Sequence, residues 1–359
     1  MKVAIIGIVG VPANYGGFET LVENLLDYKN SNVISYNIYC SRFHYKEKPK
    51  EYKGASLLYV PFKANGFQSI LYDVICIIHA AFTAEKLLIL GVSGCVILPF
   101  IRLFFHKKQI VVNIDGLEHR REKWGKLVRL FLKFSERIAV RFSNIVIADN
   151  KAIQDYIVQE YNKKASLIEY GGDNALVNGD SVVLNQINFV KNSYAFSVCR
   201  IEPENNIHII LNAFRDMPEH NIVIVGNWDN SVYGKSIFLD FIDTPNIKLL
   251  NPIYDFQKLN GLRQNARVYI HGHSAGGTNP SLVEAMMLEL PIIAFDVLYN
   301  RETTENKAIY FKNSNDLAFI MMNSSDEQLM QNSIVMKSIA NRRYVWKEVV
   351  KRYEMLIQN

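Results

Sequence analysis

The chain has 359 residues, 49% of them hydrophobic, and a formal net charge of +5, enough apolar material for two domains with full cores. Four cysteines, Cys40, Cys76, Cys95 and Cys199, stand among apolar neighbours without C-x-x-C or zinc spacing. They read as buried free thiols of a reducing compartment and exclude a disulfide or metal framework. Nucleic acid is excluded as a partner, because aromatics are not interleaved with the basic residues and no nucleic-acid motif occurs. No secretory leader is expected, since residues 1–8 run straight into a motif loop. No run reaches transmembrane length, and the longest apolar stretch, 92–105, is interrupted by Pro99 and Arg102.

Residues 2–8 form a β-rich run followed by G-V-P-A-N-Y-G-G-F-E-T and a helix. Phe18, Leu21, Val22, Leu25 and Leu26 recur at helical spacing, so that helix packs one face on a sheet. Gly10, Gly16 and Gly17 free the loop of side-chain bulk, and such a loop either cradles a phosphate or turns the chain. With Gly7 they do not make G-x-G-x-x-G, so a dinucleotide site is unsupported. Further strands are expected at 33–40, 57–62, 87–90, 110–115, 145–149 and 166–170. After a break at 171–192, rich in Gly, Asn, Asp and Ser, a second set is expected at 194–199, 221–226, 247–250, 268–272, 292–296 and 308–311. Helical patterns between most of them predict parallel sheets in two α/β domains, with the break as a hinge. A long basic helix is expected over 338–357.

The charge is unevenly placed. Between Arg102 and Arg141, eleven Lys or Arg stand against four Asp or Glu. Val96, Ile97, Leu98, Phe100, Ile101, Leu103, Phe104 and Phe105 precede His106, Lys107 and Lys108. The region reads either as an apolar and basic face for anionic lipid or as a buried helix beside a solvated charge run. Within it, N-I-D-G-L-E-H-R-R-E-K-W at 113–124 follows a buried strand and sets Asp115 and Glu118 at its carboxyl end. Asp115 either orients an acceptor hydroxyl or caps the next helix, and Arg120 or Arg121 is placed to meet an acceptor phosphate.

Two motifs stand in the second half. Y-A-F-S-V-C-R-I-E-P-E-N-N at 194–206 is a strand ending at Arg200, with a helix from about His208. Arg200 is either a bidentate phosphate ligand or a surface partner of Glu202 or Glu204. The segment 266–296 reads ARVYIHGHSAGGTNPSLVEAMMLELPIIAFD, a strand, a Gly-Gly loop, a helix and a strand. Gly276 and Gly277 let backbone approach a ligand, Asn279 is an N-cap and Pro280 suits the first helical position. Free amides then point at an anion, and Glu284 either accepts two hydrogen bonds from a vicinal diol such as a ribose or merely complements the helix dipole.

The 266–296 segment resembles the nucleotide-sugar site of GT-B glycosyltransferases of the retaining family-4 type, whose pattern is E-G-F-x-x-x-x-x-E-A-M. E-A-M is present at Glu284, Ala285 and Met286, while the first glutamate falls on Gly276. Within that type, capsule and cell-wall rhamnosyltransferases are most similar, through H-G-H-S-x-G-G-T-N-P-S-L-V-E-A-M, P-A-x-Y-G-G-F-E-T and D-G-x-E-x-x-R-x-K-W. The resemblance implies two Rossmann-like α/β/α domains facing each other across a cleft. Residues 1–172 would form the acceptor side with 340–359 crossing back, and 173–339 the nucleotide-sugar side.

It further implies transfer of L-rhamnose from dTDP-L-rhamnose, with retention, to a polyprenyl-pyrophosphate-linked saccharide of capsule or cell wall. The enzyme would be cytoplasmic and peripheral on the anionic inner face of the membrane. The donor residues implied are Gly16, Gly17, Arg200, Asn205, Asn227, Tyr254, His273, Gly276, Gly277, Thr278, Asn279 and Glu284. Arg200 matches the family's diphosphate arginine, whereas the lysine position carries Asn205, so leaving-group charge leans on Arg200 and the amides around Thr278. Tyr254 either stacks on the base or forms a lid on the next helix. Tyr15, Glu19, Arg120 and Arg121 fall to the acceptor, and Arg200, Asp115 and Glu118 to catalysis. No D-x-D occurs, so neither metal nor cofactor is expected. The alternative is a catalytically silent GT-B protein that binds a nucleotide sugar or polysaccharide as a partner subunit.

Overall fold

Alternating β-branched runs and amphipathic helices build parallel sheets, because only a crossover connection lets successive strands run the same way. The computed structural model describes residues 1–13, 16–66, 68–114, 116–121 and 124–358. The chain divides into two units, Met1–Glu169 with Trp346–Asn359, and Tyr170–Val345.

The described strands of the first unit are β1 (Lys2–Ile6), β2 (Ser35–Ser41), β3 (Glu51–Tyr52), β4 (Ala55–Val60), β5 (Lys86–Leu90), β6 (Gln109–Ile114), β7 (Ile145–Ala148) and β8 (Ser166–Leu167). They form one sheet in the order β3-β4-β2-β1-β5-β6-β7-β8. Only β3 and β4 pair antiparallel, through a hairpin whose Lys53 and Gly54 have φ of 46° and 76°, the left-handed geometry that matches strand twist. Two residues carry no alternation, so β3 is invisible to periodicity. Val3, Ala4, Ile5 and Ile6 are fully buried, as a strand covered on both faces requires.

α1 (Gly17–Asp27) joins β1 to β2, whereas α2 (Gln68–Thr83), α3 (Leu98–Phe104), α4 (Lys126–Phe142) and α5 (Lys151–Tyr161) cross in the opposite direction along the sheet. Right-handed crossovers therefore put α2 to α5 on the face opposite α1. The apolar stretch 92–105 is a helical turn, Cys95–Ile97, leading into α3. Leu98 and Ile101 are buried. Arg102 donates to the carbonyls of Phe142 at 2.6 Å and Lys108 at 2.8 Å, and Lys108 Nζ donates to the Ala84 carbonyl. Part of the expected lipid face, Lys108 included, is thus structural.

The described strands of the second unit are β9 (Tyr194–Val198), β10 (Asn221–Val225), β11 (Ile247–Leu250), β12 (Val268–His271), β13 (Ile292–Phe295) and β14 (Ile309–Phe311). Their order is β11-β10-β9-β12-β13-β14, all pairs parallel. The helices between and after them are α6 (Ile207–Arg215), α7 (Val232–Phe241), α8 (Phe256–Arg263), α9 (Pro280–Met287), α10 (Leu298–Thr303), α11 (Ser314–Asn323) and α12 (Asp326–Arg343). Strand alternation sends Val268 and Ile270 into one core with Ile210 and Phe214, and Tyr269 into the other with Leu282 and Met286.

Residues 171–192, expected as a hinge, pack into this unit. Val183 and Ile187 join the core around Tyr269, and Asn260 Nδ2 donates to the carbonyls of Ala175 at 2.7 Å and Val177 at 3.0 Å. The helix expected over 338–357 is two. α12 ends at Arg343, and α13 (Trp346–Gln358) belongs to the first unit. Tyr344 before the break donates its hydroxyl to the Thr303 carbonyl at 2.7 Å. Glu354 beyond it accepts from the amides of Asn30 and Ser31 at 3.0 Å. The two sides are fastened to different units, which interrupts the helix.

Two buried groups titrate in opposite senses. Burial pushes the Asp73 carboxyl on α2 up to about 7, partly offset by the Ser93 hydroxyl that donates to it. Burial pushes the His271 imidazole on β12 down to about 3. The folded state holds Asp73 protonated where the unfolded chain ionises it, so its stabilising contribution is lost as pH rises from 3.8 to about 7. His271 must stay neutral where the unfolded chain protonates it, so its contribution is lost as pH falls from 6.5 to about 3. In urea unfolding, Asp73→Asn is expected to gain on the parent as pH rises from about 4 to about 8. His271→Gln should gain on the parent as pH falls over the same range, and parallel pH profiles for all three proteins would contradict both assignments.

Candidate functional site

β9 and β12 are neighbours in the second sheet but not in sequence, and the chain leaves them in opposite directions. Their following loops part at the strands' carboxyl ends, where open α/β sheets bind ligands. Here the two loops are stitched together. Glu204 offers its carbonyl to the Ser274 amide at 2.8 Å and the Ser274 hydroxyl at 2.9 Å, and Asn206 Nδ2 donates to the Gly272 carbonyl at 2.8 Å. The approach is so close that a Cβ on Gly272 would lie 2.1 Å from the Asn205 carbonyl oxygen. Only glycine fits there.

Asn205, expected to reach the donor, uses its side chain within the protein. Its Nδ2 donates to the Arg200 carbonyl at 2.8 Å, which turns Oδ1 toward His273 Nδ1 at 2.8 Å. An amide oxygen only accepts, so His273 carries its proton on Nδ1. Its Nε2 lies beside Gly276, where a Cβ would come within 3.1 Å of it at φ 123°. His273 therefore occupies space that a side chain at position 276 would need. Arg200 is exposed at the edge of the same loop.

The Gly276–Gly277 loop leads into α9. Asn279 caps it, with Oδ1 accepting from the Ser281 amide at 3.1 Å, Pro280 follows in the first turn, and Thr278 is buried just before. Pro280 has no amide proton, the Ser281 amide goes to Asn279 Oδ1, and those of Leu282 and Val283 go to the Asn279 carbonyl at 3.1 Å and 3.2 Å, so the expectation of free amides in this turn is corrected: Asn279 takes them up. One turn on, Glu284 is clamped from two sides. Arg263 Nη2, at the end of α8, donates to Oε2 at 2.7 Å, and Asn174 Nδ2 to Oε1 at 3.1 Å. Each oxygen keeps further lone pairs for a diol, but the carboxylate is also the counter-ion of an arginine only 1% exposed. Sequence reasoning missed Arg263, although it falls beside Leu259 and Leu262, the apolar stripe of its helix, the one signal that marked it as buried.

The structure therefore gathers Arg200, Asn205, His273, Gly276, Gly277, Thr278, Asn279 and Glu284 around one strand-order reversal. Asn227 and Tyr254 follow β10 and β11, farther along the sheet, and both are exposed. Tyr254 is 62% exposed.

The remaining expected residues lie in the first unit. Gly17 opens α1, and Glu19 turns inward beside Gly16, its Oε1 accepting from the Val9 amide at 2.8 Å. It braces the loop. Glu118 forms an ion pair with the Arg121 guanidinium, Nε 2.8 Å away, and accepts from Trp124 Nε1 at 3.2 Å, and Arg121 is buried. Arg120 is exposed and lies 5.1 Å over the Tyr156 ring. Tyr15 and Asp115 lie outside the described residues. Among the described residues no group of three His, Cys, Asp or Glu is placed to hold a metal ion.

Residues 185–322 match the family of glycosyl transferases group 1. The whole chain is similar to sucrose-phosphate synthase from Thermosynechococcus elongatus, with a TM-score of 0.80 at 15% identity over 99% of this chain and 98% of that one. This is the GT-B fold. The match to glycosyl transferases group 1 falls in the second unit, and residues 1–173 match a domain of unknown function, DUF1972. Anabaena HepE, solved in complex with UDP and glucose, shares the GT-B architecture with a TM-score of 0.71 at 15% identity, over 100% of this chain and 99% of that one. A glycosyltransferase from Rickettsia africae matches with a TM-score of 0.71 at 10% identity, over 99% and 97% of the two chains. No curated protein matches the chain.

The Arg263–Glu284 pair makes a prediction that differs from a simple loss of ligand. Glu284→Ala leaves a cation buried without its partner, which costs about 3–5 kcal/mol of stability. Urea unfolding should show that loss in the absence of any nucleotide. The double change Arg263→Met with Glu284→Leu should be less damaging than either single change, and simple additivity would deny the coupling.

Proposed function

We propose that the protein is a retaining glycosyltransferase that moves L-rhamnose from dTDP-L-rhamnose to a polyprenyl-pyrophosphate-linked saccharide, at the cytoplasmic face of the membrane. The observation that carries the transfer reading is the stitched pair of loops at the β9–β12 reversal, which sets Arg200, His273, the Gly276–Gly277 loop and the clamped Glu284 at one end of the region that matches glycosyl transferases group 1. HepE, a structural relative, is solved with UDP and glucose, which supports a nucleotide sugar as donor. The choice of rhamnose and of a lipid-linked acceptor rests on the H-G-H-S-A-G-G-T-N-P-S-L-V-E-A-M string at 271–286.

In this reading Glu284, held by Arg263 and Asn174, accepts the ribose hydroxyls. Tyr254 stacks on the base with Asn227 beside it. The diphosphate lies against Arg200, Thr278 and the amides of Gly276 and Gly277, which stabilise the charge that grows as the glycosidic bond breaks. Asn205 acts on His273, which it orients through Nδ1. The departing phosphate oxygen takes the proton of the incoming hydroxyl on the same face of an oxocarbenium-like sugar, so no protein base is needed and configuration is retained. Arg200 and the amides of the Gly276–Gly277 loop take the place of a metal ion. On the acceptor side, the loop of Tyr15, Gly16 and Gly17 braced by Glu19, and the Asp115–Arg121 segment with Glu118 fastening Arg121, position the saccharide and its pyrophosphate, with exposed Arg120 as the phosphate ligand. The binding-only alternative draws on Gly276 and Asn205, which leave the loop without the family's glutamate and lysine.

Purified protein with dTDP-rhamnose and a polyprenyl-pyrophosphate saccharide should release dTDP in the presence of a chelator, and binding of the donor without any turnover would favour the silent alternative. Arg200→Ala should lower kcat more than it raises KM, because the charge it meets develops in the transition state. Arg200→Lys should restore only part of the rate, having lost the planar fork. A change in KM alone would make Arg200 a uniform binder.

A further inference from the structure

We propose that the outer face of α3 and α4 is a docking surface that seats the protein on an anionic lipid bilayer. The proposal deepens the lipid-linked acceptor above and rests on that reading for its purpose, while its evidence is the face itself. On α4, Leu127, Leu130 and Phe134 recur at helical spacing and point to solvent, Leu127 at 82% and Leu130 at 68% exposure. On α3, Phe100, Leu103 and Phe104 do the same, Leu103 at 71% and Phe104 at 70%. The two helices pack on each other and lie on the same side of the sheet. Scattered single hydrophobics on a surface need no explanation, but six large ones on adjacent helices do.

Charge identifies the occupant. α4 carries Lys126, Arg129, Lys133, Arg137 and Arg141 against a single acid, Glu136. That carboxylate is buried, accepts from the hydroxyls of Tyr156 and Tyr161 at 2.7 Å and 2.5 Å, and pairs with His119 Nδ1 at 3.0 Å. α3 has no acidic residue, and none occurs anywhere from Lys86 to Ile114. Lys133 is paired with Glu160 of α5 at 2.9 Å and Arg129 donates to the His119 carbonyl at 2.8 Å, so the positive charge set around the apolar stripe is chiefly that of Lys126, Arg137 and Arg141. An anionic bilayer presents both complements, a negative headgroup layer over hydrocarbon. Exposed Phe82 at the end of α2, edge-on to Phe105 with ring centroids 4.8 Å apart, extends the apolar rim. The contact is interfacial, since no described helix is long and apolar enough to cross a membrane.

The test is sedimentation of the full chain with vesicles of phosphatidylcholine alone or with about one third phosphatidylglycerol. The protein should pellet only with the anionic vesicles and be released at about 1 M salt. Lys126→Gln with Arg137→Gln should weaken the partition about tenfold or more, and Leu127→Glu with Leu130→Glu should abolish it. Both variants should keep the parent's Tm and its affinity for dTDP-rhamnose, so a failed face is distinguishable from a failed donor reading. Should the double glutamate variant unfold, Leu103→Ser at the neighbouring exposed site must still weaken vesicle binding. The proposal is overturned if the parent ignores anionic vesicles at low salt, or if the folded glutamate variant binds them as well as the parent does. It also falls if equilibrium sedimentation shows a dimer that this variant dissolves while neither protein binds lipid, since the face is then a subunit interface.

Discussion

The close approach of residues 204–206 to residues 272–274 is the constraint on which the second unit's site depends. Strand-order reversal at β9 and β12 opens two loops at one place, yet loops alone are mobile and a binding constellation needs fixed geometry. Three consecutive residues, Glu204, Asn205 and Asn206, each reach across to Gly272, His273 or Ser274. The missing side chain at Gly272 permits the contact. Through it, the arginine loop after β9 and the glycine loop before α9 become one rigid element, and His273 acquires a single tautomer and a single direction.

A second constraint lies one turn deeper. Glu284 stands near the amino end of α9, where an exposed carboxylate already has a favourable dipole. Here it also neutralises Arg263, which α8 carries into the interior. In the proposed role, a carboxylate so clamped would lose little freedom on accepting a donor's hydroxyls, so its ordering cost would be met by folding and not by binding. The same economy would tie the proposed function to stability at this position, because removing the carboxylate also strands the arginine.

The first unit divides its labour by face. Its loops carry carboxylates engaged within the protein, Glu19 accepting from the Val9 amide and Glu118 from Trp124 while pairing with Arg121. The α3 and α4 layer instead leaves large apolar side chains uncovered amid positive charge. Right-handed crossovers put those helices side by side, and sequence distance hides the result: Leu103 and Leu127 are separated by a whole strand.

Local pattern alone determined much of this protein. β-branched runs alternating with helical spacing were enough for two parallel α/β domains, because periodicity reports the buried face of each element wherever it packs. Asn279 and Pro280 marked the start of α9 in the same way, since capping is a contact between near neighbours in the chain. What the sequence could not decide were pairings between residues far apart in it. Arg263 with Glu284, Asn205 with His273, the packing of 171–192 into the second unit and the break between α12 and α13 all depend on which elements meet. Lys108 and Leu127 show the same limit in opposite directions, the basic residue tied to Ala84 and the apolar one left in solvent. A side chain's type states its preference, and only the folded neighbours decide whether that preference is met.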